Sequence, residues 1–190
     1  MTSLYSTYRP HAFAELYGQP ELRAIGRSIA AGKNSHGYLL YGQHGCGKTS
    51  TARIIAAALN CNHIDRDGNP CGECPNCRLM FPGPDSSPAH PDVIEFNASH
   101  SRSRADMDQL LSGLTIPPMS RTKVYIIDEA HMLTNEAEAL LLKPLEEPPA
   151  NTVFIMTTTA IQKIKPTIQS RLVKARVQPL TEDLSLIHIS

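Results

Sequence analysis

Short apolar runs alternate along this chain with stretches whose apolar residues recur every three or four positions, the pattern of strands alternating with helices. The runs predict strands over residues 38–41, 92–97, 123–128, 151–159 and 172–177. Helical spacing of Leu22, Ile25 and Ile29 predicts a core-facing helix over 21–31, with Pro20 in its first turn and Gly32 closing it. Further helices are expected over 49–59 and 106–114, from a Thr134 cap to about Lys143, and briefly up to Arg171. Pro144 is expected to end or kink the helix that precedes it. Residues 1–18 read as an extended arm punctuated by Pro10 and Gly18, and residues 82–91 as a Pro- and Ser-rich surface loop. Strand–helix alternation with right-handed crossovers predicts an α/β fold, a parallel five-stranded sheet with helices on both faces.

Composition narrows the picture. A chain of 190 residues, 41% hydrophobic, holds one full domain and the start of another. Eighteen basic and eighteen acidic residues cancel, so no global field attracts nucleic acid. With no Trp, four Phe and six Tyr, the chain is poor in base-stacking groups. Its first residues, MTSLYSTYRP, have no apolar core of a signal peptide, and no apolar run is long enough to span a bilayer. A cytoplasmic location without membrane contact is expected, and reduced cysteines there point to metal rather than disulfides.

The segment after the first strand carries the main chemistry. Gly42-Gln43-His44-Gly45-Cys46-Gly47-Lys48-Thr49 fits the phosphate-binding loop GxxxxGK followed by Ser or Thr, between a strand and a helix as that loop requires. Gly42, Gly45 and Gly47 permit dihedrals closed to other residues, so successive N–H groups can turn toward one anion, and Gly42 to Ser50 form the nucleotide-binding set. Lys48 can reach the β- and γ-phosphates, and the Thr49 hydroxyl can ligate Mg²⁺. The bland alternative is a Gly-rich turn; Lys-Thr directly after the last Gly argues against it. Cys46 reads as a plain loop residue.

Cys61, Cys71, Cys74 and Cys77 have the spacing of four thiolates closing round one tetrahedral, structural Zn²⁺. An iron–sulfur cluster and free loop thiols are the rivals, and His63 can replace one cysteine. Downstream, the strand ending Asp128-Glu129 sets two carboxylates at the C-terminal sheet edge, where ligands of open α/β folds bind. Asp128 suits Mg²⁺, and Glu129 is placed to deprotonate an attacking water; the pair can also merely cap the next helix. His131 has no independent claim to catalysis. Thr158 or Thr159, at the tip of the fourth strand, can bond the γ-phosphate or the water. The ASHSRSRAD stretch over 98–106 reads as a capped helix start, with a phosphate- or DNA-contacting loop as the sharper alternative.

Taken in order, YSTYRP with Gly18-Gln19, HGYLLYGQHGCGKTSTARIIA, the four cysteines, DVIEFNAS, KVYIIDEAHML, LLLKPLEEPP and TIQSR resemble the ATPase domain of the bacterial clamp loaders, the gamma/tau family of DNA polymerase III within the AAA+ class. The resemblance spans roughly residues 5–180, and the cysteine insert is its most specific mark. It implies an AAA+ domain over 1–178 with a zinc insert at 60–78, and a lid beginning at 179–183. It also implies an ATP-hydrolysing subunit of a hetero-oligomeric ring, which loads a sliding clamp on primed DNA and joins the polymerase core through a C-terminal region absent here. On the same basis Arg171 corresponds to an arginine finger acting on a neighbour's ATP, and Thr158 or Thr159 to the first sensor. A Holliday-junction motor, an archaeal-type clamp loader subunit and a non-hydrolysing interaction subunit are the alternatives. Pro144 in place of Thr, Leu172 in place of Cys and Ala160 in place of an acid depart from the family pattern without removing a phosphate, metal or water contact. Residues 184–190 (LSLIHIS) read as the translation of a sequencing adapter on a truncated gene.

Overall fold

Strands with apolar residues at consecutive rather than alternate positions suit a sheet covered on both faces. The computed structural model, which describes residues 9–83 and 87–179, has such a sheet. β1 (Gly37–Tyr41), β2 (Val93–Asn97), β3 (Lys123–Asp128), β4 (Thr152–Thr158) and β5 (Val173–Arg176) stand in the order β2-β3-β4-β1-β5, with every pairing parallel. Because side chains alternate across a strand, neighbouring residues serve different cores. Leu40, Ile126 and Ile155 pack into one layer with α1 (Pro20–Ala30), α2 (Lys48–Asn60) and Met80 of the short α3 (Pro75–Met80). Leu39, Ile127 and Met156 face the other layer, made by α4 (Arg104–Leu111), α5 (Asn135–Glu146) and α6 (Pro166–Gln169). The expected two-faced parallel sheet is thus present. No helix among the described residues is long and apolar enough to cross a membrane.

Four local expectations need correction. The arm is not simply extended: Phe13–Glu15 form a 3-10 turn, and Phe13 is buried against Gly26, where a Cβ would lie 2.8 Å from the Phe13 ring. α4 starts earlier than expected because Ser103 and Asp106 form a reciprocal capping box; the Ser103 hydroxyl accepts the Asp106 N–H at 3.2 Å. α5 runs through Pro144 to Glu146 rather than ending near Lys143. Pro144 forfeits the one N–H bond that would reach the Leu140 carbonyl, but Leu145 is buried and the Glu147 N–H still reaches the Lys143 carbonyl at 2.9 Å. The loop before β2 is not all surface, since His90 is buried and its Nδ1 accepts the Asp92 N–H at 3.2 Å. Residues 1–8 of the arm, 180–183 of the expected lid start and the stretch 184–190 lie outside the described residues.

One buried polar side chain joins the end of α2 to the start of β3. Asn60, the last residue of α2, is fully buried; its amide donates to the Thr122 carbonyl at 3.0 Å and its oxygen accepts the Arg121 and Thr122 N–H groups at 3.3 and 3.0 Å. Its own carbonyl accepts from Asn76 at 2.7 Å, which ties α3 to the same point. Asn60→Ala strands these buried groups, each unmade bond costing about 1–3 kcal/mol. We expect a loss of about 2–4 kcal/mol, read as a lower urea midpoint with an unchanged m-value.

Candidate functional site

In an all-parallel sheet every strand delivers its last residue to the same edge. The register sets Tyr41 opposite Thr158 and Asn97 opposite Asp128, so the segments that follow β1, β2, β3 and β4 share one rim. The loop from Gly42 turns there into α2. Gly45 and Gly47 have φ of +78° and +92°, the left-handed region that favours glycine. Gly42 is required for a different reason than dihedral freedom: a Cβ there would lie 2.2 Å from the Val177 carbonyl oxygen. Inside the loop the Gln43 carbonyl accepts the Lys48 ammonium at 2.8 Å and the Cys46 thiol at 2.9 Å, so Lys48 is already seated over the loop.

A pocket of about 370 Å³ opens between this loop and the acidic strand end. His44, Gly45, Gly47, Lys48, Thr49 and Ser50 line it from one side, and Asp128 and Glu129 from the other. Gly42, Gln43 and Cys46 do not line it; they shape the loop from within. The Thr49 hydroxyl donates to the Asp128 carboxylate, with oxygens at 3.1 and 3.2 Å. Arg9 and Asn97, which the sequence reading missed, also line the pocket, as does Ser99 of the stretch weighed as a phosphate-contacting loop. Asn97 was within reach of that reading as the last residue of a strand, but only the strand order shows that its neighbour is Asp128. A larger hollow of about 610 Å³ lies against β2 and α4, lined by Ile94, Phe96, Leu110 and Met119, and contains no residue of the phosphate loop.

The tip of β4 organises the acidic pair. Thr157, fully buried, donates its hydroxyl to Asp128 and accepts the Glu129 N–H at 3.2 Å. Glu129 itself sits at φ 52°, ψ 43°, an uncommon left-handed conformation for a residue with a side chain. Thr158 Oγ1 lies 3.2 Å from His131 Nδ1, and Thr159 Oγ1 lies 3.5 Å from Glu129 Oε2. Neither Thr158 nor Thr159 lines the pocket; the threonine that touches the acidic pair most directly is Thr157. Arg171 lies at the opposite sheet edge, just before β5 starts, where it pairs with Glu146 and bonds the Thr167 carbonyl. Of the 98–106 stretch, Ser103 caps α4, as the helix-start reading expects, and Ser99 lines the pocket.

The four cysteines converge away from this pocket, beyond the far end of α2, whose 13 residues span about 20 Å. Their sulfurs all lie within 4.8 Å of one another, with Cys71 and Cys77 at 3.9 Å. Four thiolates at about 2.3 Å from one tetrahedral ion stand ~3.8 Å apart, so the donor set fits such an ion. His63 contributes its backbone N–H to Cys61 Sγ at 3.4 Å, and its ring is not part of the group. Burial raises the Cys61 and Cys77 thiols. Burial also opposes ionisation of Cys74, but N–H donors from Asn62 and Cys77 and the neighbouring thiols outweigh it and hold that group at about 7.

The family described as DNA polymerase III, delta subunit, matches residues 18–181. DNA polymerase III subunit gamma/tau of Mycobacterium tuberculosis strain H37Rv is 42% identical over 171 residues, 89% of this chain and 29% of that protein. DNA polymerase III subunit tau of Escherichia coli strain K12 is 39% identical over 175 residues, 91% of this chain and 26% of its own length. The chain therefore spans less than a third of these relatives. Among solved structures, the Thermotoga maritima RuvB Holliday junction branch migration motor aligns with a TM-score of 0.59 at 22% identity, covering 90% of this chain and 48% of that one. A gamma subunit-related protein of DNA polymerase III from the same organism aligns with a TM-score of 0.55 at 21% identity, covering 85% of this chain and 47% of its own. The fold is that of the AAA+ P-loop ATPases, and the chain belongs to the DNA polymerase III gamma/tau subunit family.

Proposed function

We propose that the chain binds and hydrolyses ATP as a cytoplasmic clamp loader subunit, within a hetero-oligomeric ring that places a sliding clamp on primed DNA. The observation that carries this reading is the Thr49–Asp128 contact across a pocket that also holds Lys48 and Glu129. The loop N–H groups and the start of α2 cradle the phosphates, and Lys48 meets their negative charge. Mg²⁺ would be held by Thr49 and Asp128, and supplies neutralisation of the β- and γ-phosphate charge. Glu129 accepts the proton of a water whose oxygen attacks the γ-phosphorus, while the β–γ bridging bond breaks and ADP leaves. Arg171 is not in its own chain's pocket, which supports its acting on ATP held by a neighbouring subunit. Such a finger is worth about 10³–10⁵ in rate in other nucleotide hydrolases, so the isolated chain binds ATP better than it turns it over.

The cysteine group is read as a structural Zn²⁺ site within an insert at 60–78 of an AAA+ domain spanning 1–178. Four thiolates leave no open coordination position for substrate or water. Contact with a polymerase core is assigned to the part of the longer relatives outside the segment matched here.

Three outcomes test this reading. Lys48→Ala removes the charge facing the phosphates; nucleotide affinity falls at least about 100-fold in a fluorescent-ATP titration, with circular dichroism unchanged. Elemental analysis of the purified protein gives one zinc per chain and no iron. Cys74→Ser lowers that zinc content and the thermal midpoint without changing ATP affinity.

A further inference from the structure

Glu129 is followed by a tight 3-10 turn, Ala130–Met132, which brings His131 back toward the carboxylate. His131 Nδ1 lies 3.3 Å from Glu129 Oε2 and 3.2 Å from Thr158 Oγ1. The His131 side chain is only 12% exposed and that of Glu129 23%, so the contact is shielded from solvent. Thr158 Oγ1 also accepts the Ala160 N–H at 3.0 Å, which fixes the hydroxyl and with it the tip of β4. Nδ1 makes its hydrogen bond with Thr158 Oγ1 and stands in ion-pair contact with Glu129 Oε2; as a donor it serves both oxygens, and the ionised one is the stronger acceptor. His131 Nε2 then remains the acceptor face, 3.5 Å from Thr159 Oγ1.

We propose that His131 is a positioning residue: its Nδ1–H holds Glu129 Oε2 against the tip of β4 and so aims the carboxylate at the pocket. This rests on the ATPase reading of the same site. The strained backbone of Glu129 makes such a hold necessary. The carboxylate starts from an unfavourable main-chain conformation, and a displacement of about 1 Å costs about 100-fold in rate at a reacting centre. His131 meets neither phosphate nor water in this role; it acts through Glu129.

The experiment compares His131→Ala, His131→Asn and His131→Gln in the full-length protein assembled with its companion subunits. His131→Ala lowers kcat about 10- to 100-fold with ATP affinity unchanged. His131→Asn, whose amide reaches the Nδ1 position, restores most of the rate, and His131→Gln, which reaches the Nε2 position, does not. In a Glu129→Gln background His131→Ala has no further effect. Two-bond ¹H–¹⁵N spectra of the described chain report His131 as the Nδ1–H tautomer, independently of turnover. An unchanged or raised kcat in His131→Ala, equal behaviour of Asn and Gln, or an Nε2–H tautomer overturns the proposal. Absence of ATP turnover in the unaltered assembly overturns the ATPase reading itself, and the positioning role with it.

Discussion

The contact between the Thr49 hydroxyl and the Asp128 carboxylate joins two segments 79 residues apart in sequence, and the site depends on it. It exists because β1 and β3 are parallel and separated only by β4, so their C-terminal ends emerge on one rim. An antiparallel arrangement of the same strands would send the acidic pair to the far edge, out of reach of Lys48. The strand order is in turn imposed by burial. β1, β3 and β4 are apolar on both faces, and only the sheet interior satisfies both while pairing every backbone group.

Between the two halves of the pocket, β4 acts as a shared support. Thr157 reaches Asp128 by its hydroxyl and the Glu129 main chain by the same oxygen, so one buried side chain fixes both carboxylates. Thr158 then engages His131, and Thr159 lies near Glu129. Three successive hydroxyls at a strand tip thus form a bracket for the residues after β3. A bracket of this kind explains how Glu129 retains left-handed backbone dihedrals that an unsupported loop would relax.

The cysteine knob is a separate physical unit with a different source of order. Its segment is rich in Gly, Pro and Asn and has few apolar residues for a core of its own, whereas four convergent sulfurs supply a centre. Asn60 and Asn76 connect it to α2 and to the approach to β3, so buried polar bonds fasten the knob to the domain alongside the apolar contacts of Ile64 and Met80. Gly26 and Gly68 also pack backbone to backbone, with a Cβ on Gly68 lying 2.2 Å from Gly26, which presses the insert against α1.

By itself the sequence determined the parallel α/β class, the phosphate loop, the acidic strand end and the four thiols as one group. These are local patterns: the apolar period, the glycine and lysine spacing, and the cysteine spacing depend on residues near one another in the chain. Tertiary structure decided what depends on which strands are neighbours. It made Thr157 rather than Thr158 or Thr159 the direct partner of the acidic pair. It gave His131 a place beside Glu129, added Arg9, Asn97 and Ser99 to the pocket, and carried α5 through Pro144. Each of these is set by packing between distant segments, where burial of Leu145 outweighs a proline's local preference and pairing across the sheet chooses which hydroxyl meets which carboxylate.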